Sequence, residues 1–150
     1  MTHEDYMRQA LALAEEAAAA GEVPVGCVIV KDSQVIGRGR NRREKDRDPL
    51  AHAELDAIRD ACRTLGDWRL AGTRLYVTLE PCPMCAGGII SARIPEVYFG
   101  AKDDLFGACG SILNLFEENF RHHPKIVGHI LEEPCAALLR QFFSGIRDNS

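Results

Sequence analysis

His52 and Glu54 stand two residues apart, and Cys82 and Cys85 follow three apart, with Pro81 and Pro83 beside the first of them. Together they offer one imidazole, two thiols and one further carboxylate. That is three metal ligands and a spare acid/base. Catalytic zinc sites hold three protein ligands and keep the fourth position for water, whereas structural sites are closed by four. Imidazole and thiolate are borderline to soft donors, and zinc suits them. Bound zinc brings the pKa of its water to about 7, which makes a hydrolytic nucleophile available at neutral pH. Glu54 is then free to move protons as a general acid/base.

Each half of this pattern is unspecific alone. A Cys-x-x-Cys also serves as a redox pair, and a His-x-Glu usually carries no chemistry. A redox pair leaves His52 and Glu54 unexplained. A closed structural zinc site needs a fourth ligand, for which Cys109 and His122 are the candidates.

Both halves fall where a strand or loop enters a helix. Helical spacing of Met7, Ala10, Leu11, Ala14 and Ala18 predicts a first helix over about residues 4–20, closed by Gly21. Val23 to Val30 reads as a buried strand, Lys31 to Gln34 as a turn, and Val35 to Arg40 as its partner strand. Leu55, Ile58, Cys62 and Leu65 form the stripe of a second helix that ends near Gly66. Arg74 to Leu79 is a third strand, and a third helix starts around Cys82–Pro83, where proline suits the first turn. Val97-Tyr98-Phe99 and Ile126 to Ile130 are two further strands. Cys135, Leu138, Leu139, Phe142 and Ile146 mark a last helix. Alternating strands and helices predict a layered α/β domain with helices on both faces. Cys82 and Cys85 then lie at a helix start, where backbone N–H groups favour thiolates. His52 belongs at the irregular start of its own helix, since two residues apart on a regular helix would splay it from Glu54.

The chain of 150 residues has the length of one domain, 1–150, with a core of its own. No stretch reaches the length of a membrane span, and the polar, acidic start does not resemble a signal peptide. The six cysteines are therefore expected as reduced thiols in the cytoplasm, with Cys27, Cys62 and Cys135 as small buried hydrophobes. A net charge of −4 argues against broad, non-specific nucleic-acid binding. Yet Arg38, Arg40, Arg42, Arg43, Lys45 and Arg47 lead directly into His52, with Glu44, Asp46 and Asp48 interleaved. Such cations suit phosphate contacts, and equally a solvated loop of mixed charge. Phe99 is expected in the core, and Phe106 is open between core and stacking surface. His122-His123 reads as a surface or interface pair.

His52-Ala53-Glu54 with Pro81-Cys82-Pro83-Met84-Cys85 is also the pattern of zinc deaminases acting on bases. The chain resembles the cytidine deaminase superfamily, and within it the branch that acts on tRNA. The likeness runs through Glu22 to Gly26, Asn41-Arg42, Asp48-Pro49, Leu75 to Cys82, Met84 to Gly87, Phe99-Gly100-Ala101, Gly107 to Ser111 and Glu133 to Phe143. It implies a three-layer α/β/α sandwich around a five-stranded mixed sheet, and a homodimer. It implies hydrolytic deamination of adenosine to inosine at the wobble position of a tRNA anticodon. His52, Cys82 and Cys85 would hold one zinc per subunit, Glu54 would shuttle protons, Asn41 would bind the nucleoside and Asp103 would lie near its sugar. The anticodon stem-loop would be the partner, with no membrane. The chain departs from the branch at Leu105-Phe106 and Arg121, and after the last helix it carries only Arg147-Asp148-Asn149-Ser150. Two alternatives stay open: a deaminase of free guanine, cytosine or a nucleoside, and a non-catalytic, zinc-stabilised RNA-binding module.

Overall fold

The computed structural model describes residues 1–148, so Asn149 and Ser150 of the tail lie outside the described residues. Five strands form one mixed sheet in the order β2 (Gln34–Arg40), β1 (Gly26–Lys31), β3 (Thr73–Leu79), β4 (Glu96–Ala101), β5 (Lys125–Val127). β1 runs antiparallel to both neighbours, while β3, β4 and β5 are parallel. Strand periodicity sorts the side chains. Cys27, Ile29, Leu75 and Val77 enter a core with α3 (Ala53–Leu65) and α4 (Pro83–Ala92). Val28, Val30, Tyr76 and Tyr98 enter a second core with α1 (His3–Ala19) and α5 (Glu132–Asp148). The result is the three-layer α/β/α arrangement that the resemblance implied. A one-turn α2 (Arg43–Asp46), absent from the sequence reading, lies between β2 and α3.

Local chemistry sets most boundaries. Thr2 and Asp5 form a reciprocal capping box at the start of α1. Asp32 and Ser33 take φ of 50° and 63°, as a two-residue hairpin between right-twisted strands requires. Pro83 occupies the first turn of α4, and Gly66 closes α3 at φ 68°. β1 begins at Gly26 rather than Val23, because Pro24 has no N–H to give a ladder. β5 ends at Val127, since Gly128 packs on the Phe99 ring and His129 turns the chain at φ 68°.

The buried face of α3 differs from the expected stripe. Leu55, Ile58, Cys62 and Leu65 are partly buried at its flank, and Ala53, Glu54, Ala57 and Ala61 lie deepest. β2 explains this, because it meets α3 through Gly37 and Gly39. A Cβ on Gly39 would run into the Ala53 carbonyl and one on Gly37 into that of Ala57. Backbones in such contact leave room only for small side chains. α3 also covers the outer edge of β2: the N–H of Arg38 donates to Asp60 Oδ2 at 2.9 Å and that of Arg40 to Asp56 Oδ2 at 3.3 Å.

All six cysteines are free thiols; Cys27 and Cys135 are buried and Cys62 is partly so. Among the described residues, no helix is long and apolar enough to cross a membrane.

Candidate active site

The starts of α3 and α4 converge at one end of the sheet. His52 is the extended N-cap of α3 (φ −83°, ψ 154°), and Cys82 is the N-cap of α4 (φ −76°, ψ 173°). Neither side chain folds back to cap its helix, so imidazole and thiol are left for each other. Cys85 sits in the first turn of α4. His52 Nδ1 lies 3.7 Å from Cys82 Sγ and 3.5 Å from Cys85 Sγ. A tetrahedral zinc at ordinary bond lengths would hold nitrogen and sulfur about 3.6 Å apart. Both nitrogen–sulfur distances therefore suit that ion. They are the one group of its kind among the described residues, with ligand atoms within 4.8 Å of one another.

Electrostatics in the cluster show shared protons. The Cys85 thiol donates to Cys82 and, with help from His52, holds Cys82 down at about 4, as a thiolate. Cys85 is pushed far above the thiol range by that same bond and by burial. His52 is raised, first through its bond to Cys82. A thiolate, an imidazole raised by it and a thiol, all in contact, are a donor set that a metal ion binds by displacing protons.

Glu54, only 4% exposed, stands on the first turn of α3 beside this cluster. Burial raises it to about 7, against the lowering pull of its own backbone N–H, His52 and the Cys85 thiol. A carboxyl group poised there can both take and return a proton near neutral pH.

A cavity of about 700 Å³ opens in front, lined by Asn41, Glu54, Cys82, Asp103, Phe106 and Phe143 among others. The sequence-derived candidates His52, Glu54, Cys82, Asn41 and Asp103 all reach it. Asn41 is nearly buried: its Nδ2 donates to the Val23 carbonyl at 3.3 Å, and its Oδ1 accepts from Arg43 N–H at 3.2 Å. Asp103 Oδ1 accepts from the N–H groups of Leu105 and Phe106 at 3.0 and 3.2 Å. Phe106 is thereby held at the rim, 66% exposed, whereas Phe99 is core at 6%. Cys109 and His122 are not part of the metal-ligand group. Cys109 is buried, and His122 Nε2 bonds to the Ile94 carbonyl at 2.7 Å.

Two buried carboxylates escaped the sequence reading. Glu80, 2% exposed, accepts from the N–H groups of Asp103, Cys109 and Ser111 and from the Ser111 hydroxyl. Burial would raise it, but these bonds outweigh burial and hold it below the ordinary range. Gly107 completes the cradle, since a Cβ there would strike the Glu80 carboxylate. Glu22, also 2% exposed, accepts from Glu44 and Lys45 N–H and so anchors α2. The available signal for Glu80 was its position between an apolar strand and Pro81-Cys82, where an ionised group requires several donors.

Comparison with known proteins follows the same lines. A family model for the cytidine and deoxycytidylate deaminase zinc-binding region matches residues 1–101. The tRNA-specific adenosine deaminase of Bacillus subtilis (strain 168) is 46% identical over 149 residues, which cover 98% of this chain and 92% of that one. A structure from studies of A-to-I editing by tRNA:A34 deaminases at the wobble position of transfer RNA superposes with TM-score 0.87. It shares 43% identity and covers 90% of this chain and 99% of its own. Guanine deaminase from Bacillus subtilis is 45% identical at TM-score 0.65, over 68% of this chain and 66% of its own.

Proposed function

The chain belongs to the cytidine and deoxycytidylate deaminase family of zinc-binding enzymes, and we propose that it deaminates adenosine to inosine at the wobble position of a tRNA anticodon. The observation that carries this reading is the full-length likeness to tRNA-specific adenosine deaminase, which covers the cavity wall as well as the metal corner.

In this mechanism His52 and the thiolates of Cys82 and Cys85 would hold the zinc. When bound, zinc supplies an acidified water as nucleophile. Glu54 would carry one proton of the attacking water to the ring nitrogen, where inosine keeps it, and then carry the proton of the new C6 hydroxyl to the departing amine. Overall, adenosine and water become inosine and ammonia. Burial keeps Glu54 near the pKa at which one carboxylate can serve as base and then as acid. Asn41, fixed by Val23 and Arg43, keeps one amide hydrogen and one lone pair for the nucleoside. Asp103 keeps Oδ2 for the sugar, since Oδ1 serves the loop. An anticodon loop presents its base unstacked, so insertion into the cavity costs little.

We take residues 1–150 as one catalytic domain and expect a cytoplasmic homodimer. Nothing lies within 4 Å of a Cβ built on Gly87 of α4, which leaves room there for a close subunit contact. Sedimentation at micromolar concentration tests this; a monomer would refute it.

The likeness to guanine deaminase favours free guanine as a second reading. One assay separates the two. The protein is incubated with an adenosine-bearing anticodon stem-loop and, separately, with free bases and nucleosides. Inosine in the RNA is the expected product. Ammonia from guanine with none from RNA would reverse the order.

A further inference from the structure

The cations before His52 do not form one patch. Arg42 turns back on α3, with its Nε 3.3 Å from Asp56 Oδ2, and Arg43 lines the large cavity. Arg38 and Arg40 lie upstream on β2. With Leu13, Glu16, Gly39 and Arg42 they line a second, shallow hollow of about 190 Å³ at the corner between α1 and the sheet edge. Strand periodicity puts these two side chains on one side, about 7 Å apart, a separation like that of successive phosphates on one nucleic-acid strand. The strand beneath them is fixed, because their N–H groups are tied to Asp60 and Asp56.

Charge is sorted across this edge. Asp56 and Asp60 belong to α3, on the side that Gly37 and Gly39 face, while the guanidinium groups face the α1 side. Among the described residues neither Arg38 nor Arg40 makes an ion pair. Glu16 is the carboxylate that shares their hollow. The interleaved acids are placed elsewhere: Glu44 and Asp46 are on α2, and Asp48 Oδ1 accepts from Leu50 N–H. Two guanidinium groups without an ion pair, on a fixed strand, with Arg42 beside them and Glu16 opposite, make the hollow locally cationic in a chain of net charge −4. β2 runs directly into Asn41 at the cavity wall, and the chain passes from the hollow to the cavity between Arg42, which lines the first, and Arg43, which lines the second.

We propose that Arg38 and Arg40 form a phosphate track for the duplex stem below the loop that carries the target base. This rests on RNA as the substrate. The RNA is then held twice, by its base in the cavity and by its stem along the β2 edge. Phosphate contacts of this kind set register and affinity without reading sequence, and they weaken with salt.

The test uses the zinc-loaded full chain and two hairpins with the same adenosine-bearing loop, one with a full stem and one with the stem cut to a minimal clamp. R38Q/R40Q should raise Kd for the full hairpin about tenfold at about 0.15 M salt and lower the slope of log K against log salt by about two. The clamped loop should bind wild type and variant alike, with kcat and zinc content unchanged. R38K/R40K should recover most of the binding. Unchanged Kd and slope on the full hairpin, or equal weakening on both hairpins, would overturn the track. Those results leave the RNA reading standing, whereas a wild type that deaminates neither hairpin removes both.

Discussion

Glu54 on α3 and Glu80 at the end of β3 are 4% and 2% exposed, and both border the same cavity, yet they are pushed in opposite directions. Glu54 has burial as its largest influence and rises to about 7. Glu80 is as closed to solvent but lies less deep, and three backbone N–H groups and a hydroxyl hold it ionised. Depth and the number of donors aimed at a carboxylate together set what it does. Glu54 keeps a proton within reach and can do chemistry. Glu80 gives up that freedom and ties the loop from Asp103 to Ser111 to the strand that delivers Cys82.

Substitutions should separate the two roles. The largest effect is expected from Glu54→Gln, with turnover falling by about a thousandfold while zinc content and melting temperature stay close to wild type. Wild-type-like turnover would sink the mechanism. Glu80→Ala should act on the fold first. It leaves several buried donors without an acceptor and should cost about 3 kcal/mol in urea unfolding, with zinc affinity falling in its wake. Unchanged stability would mean the cradle is ornamental. Gly107→Ala drives a methyl into the same carboxylate and should cost about 2 kcal/mol. Cys109→Ala is the mildest: a stability loss of about 1 kcal/mol and an unchanged zinc stoichiometry by metal analysis. Loss of the metal would point to a closed, four-ligand site instead.

Acid should resolve the same pair in sequence. Glu54 must be deprotonated to accept a proton, so kcat/KM falls on acidification through its pKa. That limb stands no higher than about 7, because a cation on the neighbouring ligands lowers it. Glu80 has a folded pKa below its unfolded one. Its stabilisation is therefore complete above the ordinary carboxylate value, about 4.3, and is lost only as pH falls through the folded value. Activity should disappear before near-ultraviolet dichroism changes; the reverse order would erase the distinction.

The metal corner was legible because each half carries its own spacing, His52 two residues from Glu54 and Cys82 three from Cys85, although the halves lie 30 residues apart. His52, Cys82 and Cys85 lie at helix starts that Pro83 and the strand-to-helix pattern announce, and the order of elements follows from apolar periodicity. The Glu80 cradle was not legible, because its donors, 23 to 31 residues downstream, are backbone N–H groups apart from one hydroxyl, and every residue but proline carries an N–H. The alanine face of α3 was hidden for a similar reason. Its selection comes from Gly37 and Gly39 on another element, while the larger Leu55 and Ile58 dominate a reading of the helix alone. Val23 was counted into β1 on hydropathy; the missing N–H of Pro24 settled the boundary.

The aspartates that lie along β2 have a consequence for assembly. An exposed strand edge normally offers itself to another chain as a template for sheet growth. Here the outward N–H groups of Arg38 and Arg40 are already spoken for by Asp60 and Asp56, and at the opposite border β5 contributes only three residues. Neither border can readily recruit a further strand. Unfolding of α3 would free the Arg38 and Arg40 N–H groups and open this edge of the sheet to aggregation.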